Sequence, residues 1–437
     1  MVSMTTGARE KAIIVGVASR AVPRAVIEEQ LDELERLVDT AGADVVARFV
    51  KERPAPDPAT YVGKGSVEEI GGAARSKGAS LVVFDDELTP GQARNLEERW
   101  GEGIRALDRP GVILDVFASH ARTREARTQV ELAQLQYLLP RLTGRYGHLS
   151  RLGCGIGGRG PGEQKLEVDR RKIRKRIARL REDLSRIEKS RAVRRRGRRG
   201  LLQVAIAGYT NAGKTTLFNR LTRESAYTAD RLFATLDARV ARAASRRLPH
   251  VVFIDTVGFV RKLPTTLVAS FRSTLAEIRE ADLVLHAVDA SSARAEEERR
   301  IALEVLEELG VGEERILTVW TKRDALAGGG AAPFVARGKA DGLFVSALTG
   351  EGIERLEEEV CRRARPQGEE FLVRIPYGDG RSIAAARAAF RVVEEKDSGD
   401  ALLLRLEGER RAVPALLPYV KEESRPVRAL RRRGLRR

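Results

Sequence analysis

Little in this sequence can carry disulfide, metal or membrane chemistry. Its 437 residues hold only two cysteines, Cys154 and Cys361, far apart in the chain. That excludes a disulfide framework and is the pattern expected in a reducing compartment. The four histidines do not cluster with cysteines or carboxylates at metal-ligand spacing, and no Ser/His/Asp arrangement for nucleophilic catalysis is legible. No run of 18 apolar residues occurs, and the first residues lack the apolar stretch of a signal peptide. A soluble, cytoplasmic protein without stable membrane insertion is the expectation. Aromatic residues make up only 5 % of the chain, which limits base stacking as a means of recognition.

Positive charge, by contrast, is abundant and localised. The net charge is +17, and residues 141–200 alone hold 21 Lys+Arg against 6 Asp+Glu. Residues 421–437 add 8 against 2. The rest of the chain is therefore slightly acidic. A basic segment on a near-neutral body is the footprint of a nucleic-acid partner or, alternatively, of an acidic membrane surface.

The most informative stretch is Gly208-Tyr209-Thr210-Asn211-Ala212-Gly213-Lys214-Thr215, a full match to G-x-x-x-x-G-K-[ST]. An apolar strand pattern, Leu201 to Ala207, precedes it, and a helical pattern opening with Thr216 follows. Strand, glycine loop and helix form the context in which backbone N–H groups and a helix N-terminus cradle phosphates. Lys214 is expected to reach the β- and γ-phosphates and the Thr215 hydroxyl to hold Mg²⁺.

Four segments follow in order. Phe233-Ala234-Thr235-Leu236-Asp237 offers Thr235, whose N–H can meet a γ-phosphate and whose hydroxyl can bind Mg²⁺. Asp255-Thr256-Val257-Gly258 closes the strand Val251 to Ile254; Asp255 is placed to hold Mg²⁺ through water and the Gly258 N–H to contact the γ-phosphate. Thr321-Lys322-Arg323-Asp324 ends a strand and resembles the Asn-Lys-x-Asp guanine motif, with Thr321 in place of Asn. Asp324 would accept from the guanine N1–H and amine, which adenine cannot offer. Ser346-Ala347, after Leu343 to Val345, matches the turn whose backbone meets the guanine oxygen. Phe259 stands where a water-orienting Gln is often found, so slow hydrolysis by the isolated chain is expected, with acceleration by a partner that orders the γ-phosphate-dependent segments.

Between residues 120 and 200, apolar positions recur at helical spacing. Thr128, Leu132, Leu135, Leu139 and Leu142 form one seam; Leu166, Asp169, Ile173, Ile177, Leu180, Leu184 and Ile187 form another. This predicts an antiparallel helical hairpin whose second helix, about 30 residues long, spans roughly 45 Å. Its tip, residues 151–163, holds six glycines within ten residues, either as a flexible linker or as backbone pressed against a ligand. Arg151, Arg159, Arg170, Arg171 and Arg174 are candidate RNA contacts. With few aromatics nearby, folded RNA read by shape and backbone fits better than stacked single strands.

The ends are also structured. Residues 1–120 alternate strands (Ala12–Val17, Asp44–Phe49, Leu81–Asp85, Val112–Phe117) with helices (Val26–Thr40, Ser66–Ala79, Thr89–Trp100). Gly63-Lys64-Gly65 opens one helix and is either a plain turn or an anion site. Residues 369–420 read as strand Phe371–Ile375, helix Ser382–Arg391 and strands Val392–Glu395 and Ala401–Leu406. Arg425–Arg437 reads as a disordered basic tail. The fold class is α/β. The expected organisation is an N-terminal α/β domain (1–120), the basic hairpin (121–199), a P-loop GTPase domain (200–366), a small C-terminal α/β domain (369–420) and the tail (421–437), as a monomer.

Taken together, these segments resemble the HflX-type GTPases, a ribosome-associated family, over nearly the whole chain. The resemblance is carried by the 208–219 and 233–237 segments, by Asp255-Thr256-Val257-Gly258-Phe259, and more specifically by Gln129-Val130-Glu131-Leu132-Ala133-Gln134-Leu135, Arg159-Gly160-Pro161-Gly162-Glu163, Leu166-Glu167 and Asp169-Arg170-Arg171. It departs from the family at Thr321 and at Lys165. It implies a Mg²⁺-dependent GTPase, converting GTP to GDP and stimulated by the large ribosomal subunit. It implies binding to that subunit's rRNA, with the glycine tip near the peptidyl transferase centre, and separation of stalled or idle ribosomes into subunits under stress. An ATP site in the N-terminal domain, at Gly63, Lys64 and Gly65, is implied more weakly. Two other readings remain: a ribosome-assembly GTPase and an ATP-driven rRNA-remodelling protein.

Overall fold

A computed structural model describes residues 9–142, 161–196, 201–225, 233, 238–262, 272–328, 341–363, 369–408, 414–420 and 425–426. Residues 151–160 of the glycine tip, with Arg151 and Arg159, and Thr235 lie outside the described residues, while residues 161–163 open a helix.

The chain builds three sheets. The first has order β2-β1-β3-β4 and is wholly parallel, from β1 (Glu10–Ala18), β2 (Ala43–Glu52), β3 (Leu81–Phe84) and β4 (Arg105–Asp108). Its crossovers are α1 (Arg24–Ala41), α2 (Lys64–Lys77) and α3 (Pro90–Trp100). Because successive strand side chains alternate in direction, β1 feeds both faces. Ile13, Val15 and Val17 pack with Val67, Ile70 and Trp100 on the α2/α3 side, while Ala12 and Ile14 pack with Leu31, Leu34 and Val116 on the other. Thr89 starts α3 through a capping box: its side chain accepts the Gln92 N–H, and the Gln92 side chain accepts the Thr89 N–H.

One predicted strand is a helix. Residues 112–117 lie within α4 (Arg109–His120), and the fourth strand is Arg105–Asp108 instead. Val112-Ile113-Leu114 and Val116-Phe117 are apolar and partly β-branched, and a short buried run of this kind does not reveal its period. The decisive signal sits upstream. The Asp108 carboxylate accepts the Gly111 N–H at 3.0 Å as an N-cap, and Pro110 occupies the first turn.

Two further helices extend from this unit, α5 (Arg124–Arg141) and α6 (Pro161–Arg196). Ala126, Val130 and Ala133 of α5 join the core formed with α1 and α4. Tyr137 and Arg141 reach back to the Asp108 carboxylate at 2.7 Å each. On the opposite side of α5, Leu132 meets Ile177 and Leu180 of α6, flanked by Leu135, Leu139, Ile173 and Leu184. Arg176 clamps Glu131 with two 2.7 Å hydrogen bonds. At 36 residues, α6 is about 54 Å long.

The second sheet has order β10-β9-β8-β5-β7-β6, from β5 (Leu202–Gly208), β6 (Arg239–Arg242), β7 (Val251–Asp255), β8 (Leu283–Asp289), β9 (Ile316–Thr321) and β10 (Leu343–Phe344). Five strands are parallel and the edge strand β6 is antiparallel to β7. Helices α7 (Lys214–Thr222), α8 (Arg272–Arg279), α9 (Ala295–Glu308) and α10 (Ile353–Arg363) accompany it. Both faces are buried, as a parallel sheet requires: Val204 and Ile206 pack with Leu217, Phe218 and Leu356, and Ala205 and Ala207 pack with Leu275, Ile278 and Leu306. This second face belongs to the same apolar cluster as the α1/α4 face of the first sheet, so the two units share a continuous core.

The third sheet is antiparallel, order β12-β13-β11-β14, from β11 (Glu369–Pro376), β12 (Arg391–Asp397), β13 (Ala401–Gly408) and β14 (Arg425–Pro426), with α11 (Gly380–Ala389) against it. The start of the tail is thus ordered: Arg425 and Pro426 pair with Glu370 and Glu369. Residues 427–437 lie outside the described residues. Among the described residues no helix is long and apolar enough to cross a membrane.

Candidate functional site

The parallel strand β5 ends at Gly208, where the chain must turn sharply past its neighbour. Gly208 has φ +151°, and a Cβ there would lie 2.2 Å from the Ala287 carbonyl of β8. Only glycine fits. The loop 209–213 then delivers Lys214 and Thr215 to the first turn of α7. Lys214 is buried, and its Nζ donates to the Tyr209 carbonyl at 2.6 Å. Burial pushes the Lys214 ammonium down to about 8, with Asp255 opposing and Lys322 adding to the drop. A buried cation of this kind gains strongly from an incoming anion. The Thr210 hydroxyl is buried nearby without a hydrogen-bond partner among the described residues. Both groups fit a phosphate.

The Thr215 hydroxyl donates to Asp255 Oδ2 at 2.9 Å, joining the helix start to the end of β7. A hydroxyl and a fully buried carboxylate converging beside a phosphate loop are a suitable donor set for Mg²⁺. Gly258 approaches so closely that an added Cβ would stand 2.9 Å from both Lys214 Nζ and the Thr210 Cα. The next residue, Phe259, bonds the phosphate loop by backbone alone: its N–H donates to Gly208 O at 3.0 Å and its carbonyl accepts the Thr210 N–H at 2.8 Å. Its ring is 1 % exposed in the apolar core, which leaves it no route to orient a water. Phe233 is also buried, edge-on to Phe117 of α4 with centroids 4.6 Å apart.

The base-side residues converge from two other loops. Thr321 Oγ1 lies 2.8 Å from Ala212 O and 3.0 Å from Val288 O. One hydroxyl proton satisfies one carbonyl at a time, whereas an Asn amide offers two. Thr321 therefore ties the phosphate loop to β8 as an Asn would, with one donor fewer. Lys322 pairs with Asp289 at 2.7 Å, and its side chain lies alongside Gly213. Ser346 Oγ donates to Asp324 Oδ1 at 2.5 Å, fixing the carboxylate. The Ser346 N–H is engaged by Glu351 O at 2.9 Å, so Ala347 supplies the next backbone donor of the turn.

Asn211 (φ 60°) forms the loop crest, and Thr216 lies half-buried in the first turn of α7. On α6, Arg171 and Arg174 are exposed and Arg170 half-buried, with Arg170 and Arg174 flanking the Leu/Ile seam. They belong to a separate surface from the phosphate loop.

Three family profiles cover successive parts of the chain: GTP-binding GTPase N-terminal over residues 28–118, GTP-binding GTPase Middle Region over 120–198, and 50S ribosome-binding GTPase over 203–322. GTPase HflX of Caldanaerobacter subterraneus subsp. tengcongensis is 42 % identical over 389 residues, 89 % of this chain and 88 % of that protein. The chain belongs to the GTPase HflX family. GTPase HflX of Escherichia coli K12 is 44 % identical, covering 81 % of this chain and 83 % of its own length, and that of Magnetococcus marinus is 41 % identical, covering 93 % and 96 %. Among solved structures, a GTP-binding protein from Sulfolobus solfataricus in complex with GDP matches at 24 % identity over 81 % of this chain and 98 % of that chain, with a TM-score of 0.40.

Sequence reasoning missed a second set of residues around the family's phosphate loop. Glu33 of α1 and Asp85 and Asp86, just after β3, meet Tyr209, Arg261 and Lys262, and Arg109 of α4 holds Asp85. Two signals were available. Asp85-Asp86 ends a parallel strand, where open α/β sheets place their functional groups. Arg261-Lys262 follows directly on the Gly258 segment.

Proposed function

We propose that this GTPase binds GTP with Mg²⁺ at the 208–215 loop and couples its hydrolysis to separating stalled or idle ribosomes into subunits. The observation that carries the nucleotide reading is the convergence of Lys214, Thr215 and Asp255 at one end of the sheet and of Asp324 and Ser346 at the next loop. In this reading Lys214 and the backbone of Tyr209 to Thr216 hold the phosphates, and Gly258 and Thr235 meet the γ-phosphate. Thr215, Thr235 and Asp255 hold Mg²⁺, which would neutralise charge developing between the β- and γ-oxygens. Asp324, with Lys322, Thr321, Ser346 and Ala347, reads guanine. Water attacks the γ-phosphorus as the bond to the β-phosphate oxygen breaks. With Phe259 buried, the water must be oriented by the backbone near Gly258 or by a partner.

The RNA-binding reading is supported by the charge on α6. Arg171 and Arg174 are exposed on α6, and with Arg170 they are the cations proposed to meet phosphate oxygens. With α5 bolted to Asp108, the pair forms a hairpin arm projecting from the N-terminal unit into large-subunit rRNA. The glycine tip carries Arg151 and Arg159 as further contacts. The units 1–120, 121–199, 200–366, 369–420 and 421–437 then act as body, arm, engine, appendage and tail of a cytoplasmic monomer. The description 50S ribosome-binding GTPase, matched over residues 203–322, supports the same partner.

Sedimentation of intact ribosomes with the full chain tests this. With GTP, a shift from whole ribosomes to free subunits is expected. An unchanged profile alongside selective binding to immature subunits would favour an assembly role.

A further inference from the structure

The first sheet closes directly on the phosphate loop. Tyr209, the second residue of that loop, is 7 % exposed. Its phenol donates to Glu33 Oε1 of α1 at 2.6 Å and accepts the Arg261 N–H at 2.9 Å. Burial, reinforced by Glu33, pushes the Tyr209 phenol well above its ordinary range, so it remains a donor. One side chain thus joins α1, the phosphate loop and the segment leaving Gly258. Lys262 follows in the left-handed region at φ 52°, a conformation that a lysine keeps only when its surroundings impose it. Those surroundings are Gln30 Oε1 at 3.0 Å, Asp85 Oδ2 at 2.7 Å and the Asp86 carboxylate.

Asp85 is held in turn by Arg109, whose Nε and Nη2 lie 3.0 and 2.5 Å away, both side chains being wholly buried. Arg109 and Arg261 approach the same Glu33 carboxylate at 3.5 and 4.0 Å. Each keeps one buried guanidinium nitrogen without a hydrogen-bond partner among the described residues. Glu33 is thus shared by Arg109, Arg261 and Tyr209, and Arg261 also pairs with Glu297, so a shift of the Arg261 backbone would redistribute these contacts.

We infer that Tyr209, Glu33 and Lys262 form an interlock through which the first sheet senses the γ-phosphate and regulates its hydrolysis. The inference rests on the nucleotide site proposed above. A γ-phosphate draws the Gly258 N–H toward itself. Residues 259–262 are bonded both to the loop, through Phe259 and the Arg261 N–H to Tyr209, and to the first-sheet unit, through Lys262 to Asp85. Movement at Gly258 must therefore strain or reseat the contacts of Lys262 three residues on from Phe259. Coupling of this kind is reciprocal: a load on the first sheet, or on the α5/α6 pair fixed to it through Asp108, changes the preference of the loop for GTP over GDP. Tyr209 and Glu33 are positioning residues here, acting through the loop.

Hydrogen exchange on the full chain, saturated with GDP or with a non-hydrolysable GTP analogue, tests the interlock over residues 27–38 and 81–88. In the wild type, exchange there should differ by about fivefold or more between the two nucleotides. The difference should vanish in Tyr209→Phe and in Lys262→Met, the second lying outside the loop in case the first folds poorly. Tyr209→Phe should also move the ratio of analogue to GDP affinity by about fivefold or more, and by less when Glu33→Gln is already present. Identical exchange with both nucleotides bound, or additive effects of Tyr209→Phe and Glu33→Gln, would overturn the interlock alone. Failure to bind either nucleotide would overturn the site and the interlock together.

Discussion

Lys214→Ala should reduce GTP turnover by on the order of 10³-fold or to background, with the fold intact. Lys214 is the one cation buried within the phosphate loop, and its charge is already expensive there, as the drop to about 8 shows. That cost is offset only when phosphate arrives. The charge moving onto the β–γ bridging oxygen and the γ-oxygens during bond cleavage would then meet a preorganised donor in a water-poor site. Alanine removes that donor and leaves the Tyr209 carbonyl without the lysine it now accepts from. Steady-state phosphate release with GTP and Mg²⁺ checks this, with circular dichroism to confirm folding. Wild-type turnover in the variant would remove the 208–215 loop from the active site.

Asp324→Asn should exchange base specificity. In the proposed site the carboxylate would accept from two guanine donors, N1–H and the exocyclic amine, and Ser346 Oγ holds it at 2.5 Å. Asparagine keeps one acceptor and introduces an amide donor that faces the guanine amine, donor against donor. Xanthine carries a carbonyl where guanine carries that amine, so the variant gains a matched pair. GTP affinity should fall by on the order of 10²-fold or more, and XTP should become the better substrate. Competition between GTP and XTP for a fluorescent nucleotide reads both effects. Unchanged GTP preference would mean that Asp324 does not face the base.

Much of this site was legible because its chemistry is local in sequence. The phosphate loop needs glycine at 208, where Ala287 O blocks a Cβ, and needs Lys214 and Thr215 in the first helical turn. Those demands leave a fixed spacing. Asp255 was legible as a carboxylate ending an apolar strand, and Asp324 as the last residue of Thr321-Lys322-Arg323-Asp324 just past another. The second long helix was legible in its apolar spacing but not its length: at 36 residues α6 exceeds the expected 30. Val112 to Phe117 misled because both a strand and an all-round buried helix read as a short apolar run, and the Asp108 cap was the cue that separated them. Asp85 and Lys262 left only local hints, a strand end and the segment after Gly258, and Glu33 and Arg109 left none. Their meaning arises from tertiary contact between residues up to 232 positions apart, as in the Lys262–Gln30 bond. A lone buried ion pair leaves no periodic trace in sequence. Thr321 departs from the Asn of the guanine motif, yet its hydroxyl lies within hydrogen-bond reach of both Ala212 O and Val288 O.

The central claim is that RNA contact on the basic arm drives chemistry in the phosphate loop. Its most direct test is GTP turnover by the full chain, alone and with purified large ribosomal subunits, beside a variant lacking residues 151–163. Slow turnover alone, strong stimulation by the subunit and loss of that stimulation in the shortened variant are expected. Equal turnover with and without the subunit would contradict the claim.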